Sequence, residues 1–264
     1  MMTGTIGIVG GCGVIGRAIA RGLLTHEIVL PGDLIISGRT VESAGASRGV
    51  RYTSDNAWLA RASKVVILSV RPEQFASVHM DAKECLLISV MAGIPTAVLM
   101  ERTGSVRVIR AMPNAAAVIG RSFTPYHASR AVSAEEKQLV RRIFDAVGKS
   151  AEVASESDLD YMTGLTGSGP AFVALLAEAM LSHATARGLE PRLASEAVRA
   201  TIEGAQELVG HGDATPREIL ATLMAYRGTT AAALEVMQAK GFASVVAAGL
   251  EAAERRAGTL WAAG

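Results

Sequence analysis

Residues 5–24 constrain this chain more than any other segment. Thr5-Ile6-Gly7-Ile8-Val9 is a short, largely β-branched run, Gly11-Cys12-Gly13-Val14-Ile15-Gly16 follows at once, and Arg17 to Leu24 reads as a helix. A strand, a glycine turn spaced G-x-G-x-x-G and a helix in immediate succession form the arrangement that binds a dinucleotide. Gly11 is expected to permit the tight turn. Gly13 should let the backbone approach a pyrophosphate, and Gly16 should let helix and strand pack closely. The helix start at Val14 and Ile15 then offers unpaired N–H groups and a partial positive charge to phosphates. The competing reading is an ordinary glycine-rich turn; the flanking strand and helix argue against it.

The rest of the N-terminal half extends the pattern. Strands are expected at Thr5–Val9, Leu34–Ser37, Val65–Val70, Leu86–Val90 and Val106–Arg110, with helical stretches between them at Val41–Arg48 and Thr96–Glu101. Apolar runs such as Val65-Val66-Ile67-Leu68 suit strands buried on both faces of a parallel sheet flanked by helices. Ser133-Ala134-Glu135-Glu136 is a capping box for a helix running to about Val147. Beyond Ser155 the composition turns to alanine and leucine at helical spacing. Helices are expected at roughly 157–164, 169–187, 191–210, 215–224, 229–239 and 242–260, punctuated by Gly188, Pro191, Pro216, Gly228 and Gly241. The fold class is therefore α/β, a doubly wound parallel sheet in residues 1–155 followed by an all-helical domain in residues 156–264.

With 26 Lys and Arg against 25 Asp and Glu, the chain carries no strong field, which argues against nucleic-acid or membrane-surface partners. Cys12 and Cys85 are too few for a disulfide framework and fit a reducing cytoplasm. Cys12 reads as a small residue tolerated in the glycine loop. No signal peptide is visible. The longest apolar stretch, Pro170 to Leu181, contains Glu178, is too short to span a bilayer and reads as a buried helix. Helices that are apolar nearly all round suggest a subunit interface. The five histidines show no metal-ligand spacing, so no metal is expected. Glu178 reads as a partnered structural carboxylate.

The second strand bears on the choice of dinucleotide. It ends Ser37-Gly38-Arg39-Thr40, without the acid that binds a ribose 2′-OH in NAD sites; a hydroxyl at Ser37 and a guanidinium at Arg39 suit a 2′-phosphate. NADP(H) is therefore expected, with NAD(H) the second option. Arg39→Asp should weaken NADPH binding far more than NADH binding. The loops Ser69-Val70-Arg71-Pro72 and Met91-Ala92-Gly93 leave the carboxyl ends of strands, where open sheets bind ligands, and fall where a nicotinamide ribose would lie.

Three further segments, Arg110-Ala111-Met112-Pro113-Asn114, Thr166-Gly167-Ser168-Gly169-Pro170-Ala171 and Gly228-Thr229-Thr230, stand in an order and at distances that resemble the pyrroline-5-carboxylate reductase family over essentially the whole chain. The resemblance implies a Rossmann-type N-terminal domain, a helical domain through which subunits interleave as a homodimer (with larger assemblies of dimers) and an active site at the dimer interface. It also implies reduction of a cyclic imine that carries a carboxylate, completing proline synthesis. Asn114 would join the cofactor site. Thr230 would set its hydroxyl near the imine nitrogen, while Gly228 and Thr229 would contribute a helix N-terminus for the carboxylate. Ser168 and Gly169 would contact substrate at what reads as a capped helix start, with Pro170 in its first turn.

The chain departs from the family's usual Ser-Pro-Gly-Gly before the paired threonines, having Ala225-Tyr226-Arg227-Gly228 instead. Tyr226 lacks proline's fixed φ, and Arg227 cannot take a positive φ as cheaply as glycine, so a different loop conformation or new contacts are expected. Both residues would line the substrate pocket. The alternatives are a reductase of the same family for another cyclic imine, or an NADP-binding regulator without catalysis. A β-hydroxyacid dehydrogenase would need a lysine shortly after Gly167–Pro170, and none stands there. A deazaflavin-linked NADP reductase shares the N-terminal pattern but would not need the helical half.

Overall fold

The computed structural model describes residues 4–38, 47–210 and 214–261. Arg39 and most of the expected helix at 41–48 lie outside them. The chain forms two compact units: one runs to Pro170 and resumes at Glu251, and the other spans Ala171–Leu250.

The first unit is built on one eight-stranded sheet in the order β3-β2-β1-β4-β5-β6-β7-β8. Its central strands are β1 (Ile6–Val9), β2 (Leu34–Ser37), β4 (Val65–Leu68), β5 (Leu86–Ser89) and β6 (Val108–Ala111), every residue of which is buried. Alternate side chains feed two separate cores. Ile6, Ile8, Ile36, Ile67 and Ile88 pack on one face, and Val9, Ile35, Val66, Leu68 and Leu87 on the other. Burial on both faces is why these strands read as unbroken apolar runs.

The expected parallel sheet is found, with one antiparallel pairing toward its far edge. Strand β7 (Ser122–Ala128) pairs antiparallel with β6, and β8 (Gly148–Glu152) runs parallel to β7. Between them α4 (Ala134–Asp145) starts at the expected capping box: Ser133 Oγ accepts the Glu136 N–H at 3.2 Å, and the Glu136 carboxylate accepts the Ser133 N–H at 2.9 Å. At the other edge β3 (Arg51–Thr53) and α2 (Asn56–Arg61) complete the sheet and its cover. The remaining helices of this unit are α1 (Val14–Thr25), α3 (Thr96–Thr103) and α5 (Glu156–Met162). A wide π turn, Thr163–Gly167, follows α5.

The helices of the C-terminal half are α6 (Gly169–Ala186), α7 (Pro191–Gly210), α8 (Pro216–Ala225), α9 (Thr229–Ala239) and α10 (Phe242–Thr259). The helix expected to be buried from Pro170 to Leu181 is not covered by its own chain. No residue of α6 is buried, and Leu175 is 72% exposed. The helical run Glu156–Ala186 is long and apolar enough, by length and composition, to cross a membrane, which the shorter apolar stretch considered in the sequence is not. Within this unit Glu178 accepts a hydrogen bond from the Ser182 hydroxyl at 2.8 Å, a local helical contact.

Candidate active site

In the first unit the carboxyl ends of β1, β2 and β4 open on a cavity of about 540 Å³. Its floor is the glycine turn. The left-handed residue is Gly10, at φ 77°, rather than Gly11, which corrects the role expected of Gly11. What Gly11 contributes is room: a Cβ there would lie 2.8 Å from Ile36 Cγ2, and its amide donates to Ser37 O at 3.0 Å. A Cβ on Gly16 would lie 2.6 Å from Gly11 Cα, so the helix can pack on the turn only with glycine at that position. Gly13 caps α1 without a side-chain acceptor, and a Cβ on it would meet only Gly10 O at 3.3 Å and Ser69 O at 3.9 Å. The Arg17 N–H is bonded to Gly13 O at 2.9 Å, so the amides of Val14, Ile15 and Gly16 precede the first intrahelical bond. This turn has the donors and the clearance that a pyrophosphate requires.

The cavity brings together Gly13, Ser37, Ser69, Val70 and Arg71 of the expected site, with residues the sequence did not point to: Gly10, Ser54, Asn56, Gln74 and Ser77. Ser37 is buried and donates its hydroxyl to Asn56 Oδ1 at 2.6 Å, leaving the Asn56 amide nitrogen as a donor at the end of β2. Asn56 opens α2 after its cap, Asp55, whose carboxylate accepts the Trp58 N–H at 2.8 Å. Pro72 opens a 3-10 helix, Pro72–Ser77, and Gln74 folds back to accept the Arg71 N–H at 3.2 Å. Cys12 lines the same cavity as a free thiol.

Met91, Ala92 and Gly93 do not line this cavity. Met91 is buried, and Gly93 takes φ 74° against the end of α10, where a Cβ would lie 2.5 Å from Leu260 Cβ and 2.8 Å from Ala257 O. Beside Leu260, Trp261 packs against Phe75 with ring centroids 6.2 Å apart, so the C-terminal segment braces both the 69–77 and 91–93 regions.

Asn114 is occupied within the protein. Its Oδ1 accepts the Ala116 N–H at 3.0 Å and its Nδ2 donates to Thr166 O at 2.8 Å. The capped helix start expected at Ser168 is replaced by continued helical backbone, with Ser168 at φ −88° and ψ −20°. Its N–H donates to Thr163 O at 3.1 Å, the five-residue spacing of a π turn. A Cβ on Gly169 would meet nothing within 4 Å, so this glycine faces open space.

Arg110, on β6, has a side chain only 6% exposed and holds the carboxylates of Glu156 and Asp160. Burial pushes the Glu156 carboxyl up, but the Thr96 amide and the Arg110 guanidinium more than reverse this, and it lies below its ordinary range. A depressed carboxylate stabilises the fold above its unfolded pKa, about 4.3, and that stabilisation is lost as pH falls through the folded value. The deficit of Glu156→Gln in urea midpoint should therefore be largest near neutrality and shrink as pH falls below the ordinary carboxylate range. A deficit independent of pH would contradict this.

In the second unit, α8 ends at the cap residue Tyr226, which is 83% exposed. Arg227 follows in the left-handed region at φ 49°, its N–H bonded to Met224 O at 3.1 Å. The altered sequence thus retains a helix-terminating geometry that glycine favours, with arginine bearing the strain. Arg227→Gly should raise stability by roughly 0.5–1 kcal/mol, after allowing for the freer unfolded chain. An unchanged urea midpoint would count against strain there. Gly228 then caps α9 without a side-chain acceptor, and the Ala232 N–H bonds Gly228 O at 3.1 Å. The Thr229, Thr230 and Ala231 amides precede that first intrahelical bond.

Residues 156–260 match the pyrroline-5-carboxylate reductase dimerisation family, and residues 5–93 match the family of coenzyme F420-dependent NADP oxidoreductases. The chain is 33% identical over 262 residues to a pyrroline-5-carboxylate reductase of Synechocystis, covering 95% of this chain and 96% of that protein. It is 35% identical over 256 residues to the Thermus thermophilus enzyme, covering 93% and 95%. Among solved structures, a Plasmodium falciparum pyrroline carboxylate reductase with NADP bound superposes with a TM-score of 0.86 at 27% identity, covering 99% of both chains. A pyrroline-5-carboxylate reductase from Coxiella burnetii gives 0.86 at 27% identity, covering 97% and 98%. The deazaflavin-type likeness is confined to the dinucleotide-binding part, whereas the reductase likeness spans both units. The chain belongs to the pyrroline-5-carboxylate reductase family.

Proposed function

We propose that this protein reduces 1-pyrroline-5-carboxylate to proline with NADPH. The observation that carries the reading is the turn Gly10–Gly16, whose clearances and unpaired amides fit a pyrophosphate, in a chain whose reductase likeness is nearly full-length. Bound NADPH would supply a hydride to the imine carbon. The amides of Val14, Ile15 and Gly16 hold its pyrophosphate. Ser37 and Asn56, with Arg39, receive the 2′-phosphate, the 69–72 loop receives the nicotinamide ribose, and the 91–93 loop, outside that cavity, borders the nicotinamide end. On the substrate side, the start of α9 at Gly228, Thr229 and Thr230 binds the carboxylate. The Thr230 hydroxyl lies by the imine nitrogen, which ends protonated, and Ser168 and Gly169 complete the contact. The protein's contribution is mainly orientation.

In this reading residues 1–155 hold the dinucleotide, and residues 156–264 bind substrate and pair two chains into a homodimer, with dimers free to assemble further. The exposed apolar side chains of α6 support the pairing. The two free thiols agree with a cytoplasmic setting.

The test is NADPH oxidation with racemic pyrroline-5-carboxylate, with NADH in parallel. Turnover on the order of 1–1000 per second, faster with NADPH, is the expected result. A second reading rests on Arg227, a cation at the residue before the α9 cap: the substrate is a bulkier or dicarboxylic cyclic imine. NADPH binding without pyrroline-5-carboxylate turnover, but with turnover of such an imine, would favour it. Binding with no turnover of any imine would leave a regulatory protein.

A further inference from the structure

The Arg110-Ala111-Met112-Pro113-Asn114 segment carries a polar residue at each end. In the structure both of its polar ends reach the same neighbour. Arg110 Nη1 donates to Glu156 Oε2, and Nη2 donates to Asp160 Oδ1 at 3.0 Å, so one guanidinium grips two successive turns of α5. Glu156 Oε2 also accepts the Thr96 N–H at 3.1 Å. Thr96 is the first residue of α3, three positions after Gly93. Asn114 Nδ2 donates to Thr166 O within the π turn. That turn is held from inside by the Thr163 and Thr166 hydroxyls, which donate to Leu159 O and Met162 O at 2.8 and 2.9 Å.

The chain thus contains a continuous tie from the end of the 91–95 loop, through Glu156, Arg110 and Asp160, to the helix that carries Thr163–Ser168. A buried guanidinium paired with half-buried carboxylates is a poor route to stability compared with apolar packing. What a guanidinium supplies better than an apolar residue or a lysine is a rigid fork that holds two carboxylates at fixed angles. Hydride transfer is sensitive to displacements of about 1 Å, so a device that fixes the spacing of two loops acts on rate.

We propose that Arg110 is a positioning residue: through Glu156 and Asp160 it fixes the Met91–Gly93 loop against the Thr163–Ser168 turn and thereby sets the approach of the imine to the nicotinamide. This rests on the reductase reading above for the duties of those two segments. Arg110 touches neither substrate nor cofactor in this account.

The test compares Arg110→Lys, Asp160→Ala and Asp160→Asn with the wild-type protein by amide hydrogen exchange and steady-state kinetics. Arg110→Lys keeps the charge but cannot fork. Exchange should quicken at least tenfold in both 91–95 and 163–168, while β1 and β4 stay protected. The kcat should fall by about tenfold or more, with the NADPH dissociation constant within threefold of wild type. Asp160→Asn, which still accepts a hydrogen bond, should stay within threefold of wild-type kcat, whereas Asp160→Ala should not; this pair decides the matter if Arg110→Lys does not fold. Unchanged exchange in 163–168 would overturn the proposal, as would quickened exchange with unchanged kcat. If the wild-type protein does not reduce pyrroline-5-carboxylate, the substrate reading fails by itself, and the exchange data still decide whether Arg110 ties the two segments.

Discussion

Replacing Gly13 by aspartate is expected to abolish NADPH binding and leave the fold intact. The two effects separate because of where Gly13 stands. Its backbone, at φ −73° and ψ 171°, is open to any residue, and the one tight contact of a Cβ would be Gly10 O at 3.3 Å, which a small shift of the turn relieves. Aspartate is moreover a favoured helix cap, and its carboxylate would accept the amides at the start of α1. Those are the amides the pyrophosphate needs, and a fixed negative charge would now face it. Like charges brought together in this way cost several kcal/mol, so affinity should fall more than a hundredfold, while the thermal midpoint holds or rises slightly. Fluorescence titration with NADPH and a melting curve are sufficient. Affinity within threefold of wild type would remove the glycine turn from the cofactor site. Gly16→Ala is the contrasting case: its Cβ would collide with the Gly11 backbone at 2.6 Å, so stability and binding should fall together.

Replacing Leu175 by glutamate is expected to yield monomers. Leu175 lies on α6, where no side chain is buried within the chain, and Val173 and Leu176 beside it are also exposed. If two copies cover this helix, each forfeits about 1.5–3 kcal/mol of leucine burial and adds the cost of burying a carboxylate, and two-fold symmetry doubles the sum. A dimer dissociation constant raised at least a thousandfold follows. Light scattering across a concentration series reads it directly. A wild-type dimer left undisturbed by the substitution would place the interface elsewhere than this face of α6.

The parts of the chain legible from sequence are those where one local rule acts alone. Strands such as Leu34–Ser37 are buried on both faces, and an unbroken apolar run has few other uses. The Ser133 capping box and the Gly188, Pro216 and Gly228 breaks mark helix ends through backbone chemistry that does not depend on distant residues. The strands that went unread are the two at the edges of the sheet and the one beside β8. Strand β3 is three half-buried residues, β7 contains Pro125, and β8 reads Gly-Lys-Ser-Ala-Glu. Each forms because a neighbouring strand offers it a hydrogen-bonding edge, and nothing in its own composition announces that. Asn56 was missed in the cofactor cavity for a related reason. Its local signal, the Ser54-Asp55-Asn56 cluster, says only that a helix begins.

The dinucleotide turn, the buried sheet and the run of apolar helices can all be read from the residues in order. These are properties of periodicity and of backbone freedom at particular glycines, and neighbours in sequence suffice to express them. Long-range packing sets the rest: Gly10 rather than Gly11 makes the left-handed turn, Asn56 meets Ser37, and Arg110 grips Glu156 and Asp160 across 46 and 50 residues of chain. Such choices depend on which groups are left without water when the sheet closes, and a buried charge or hydroxyl finds its partner only once the whole core has placed it.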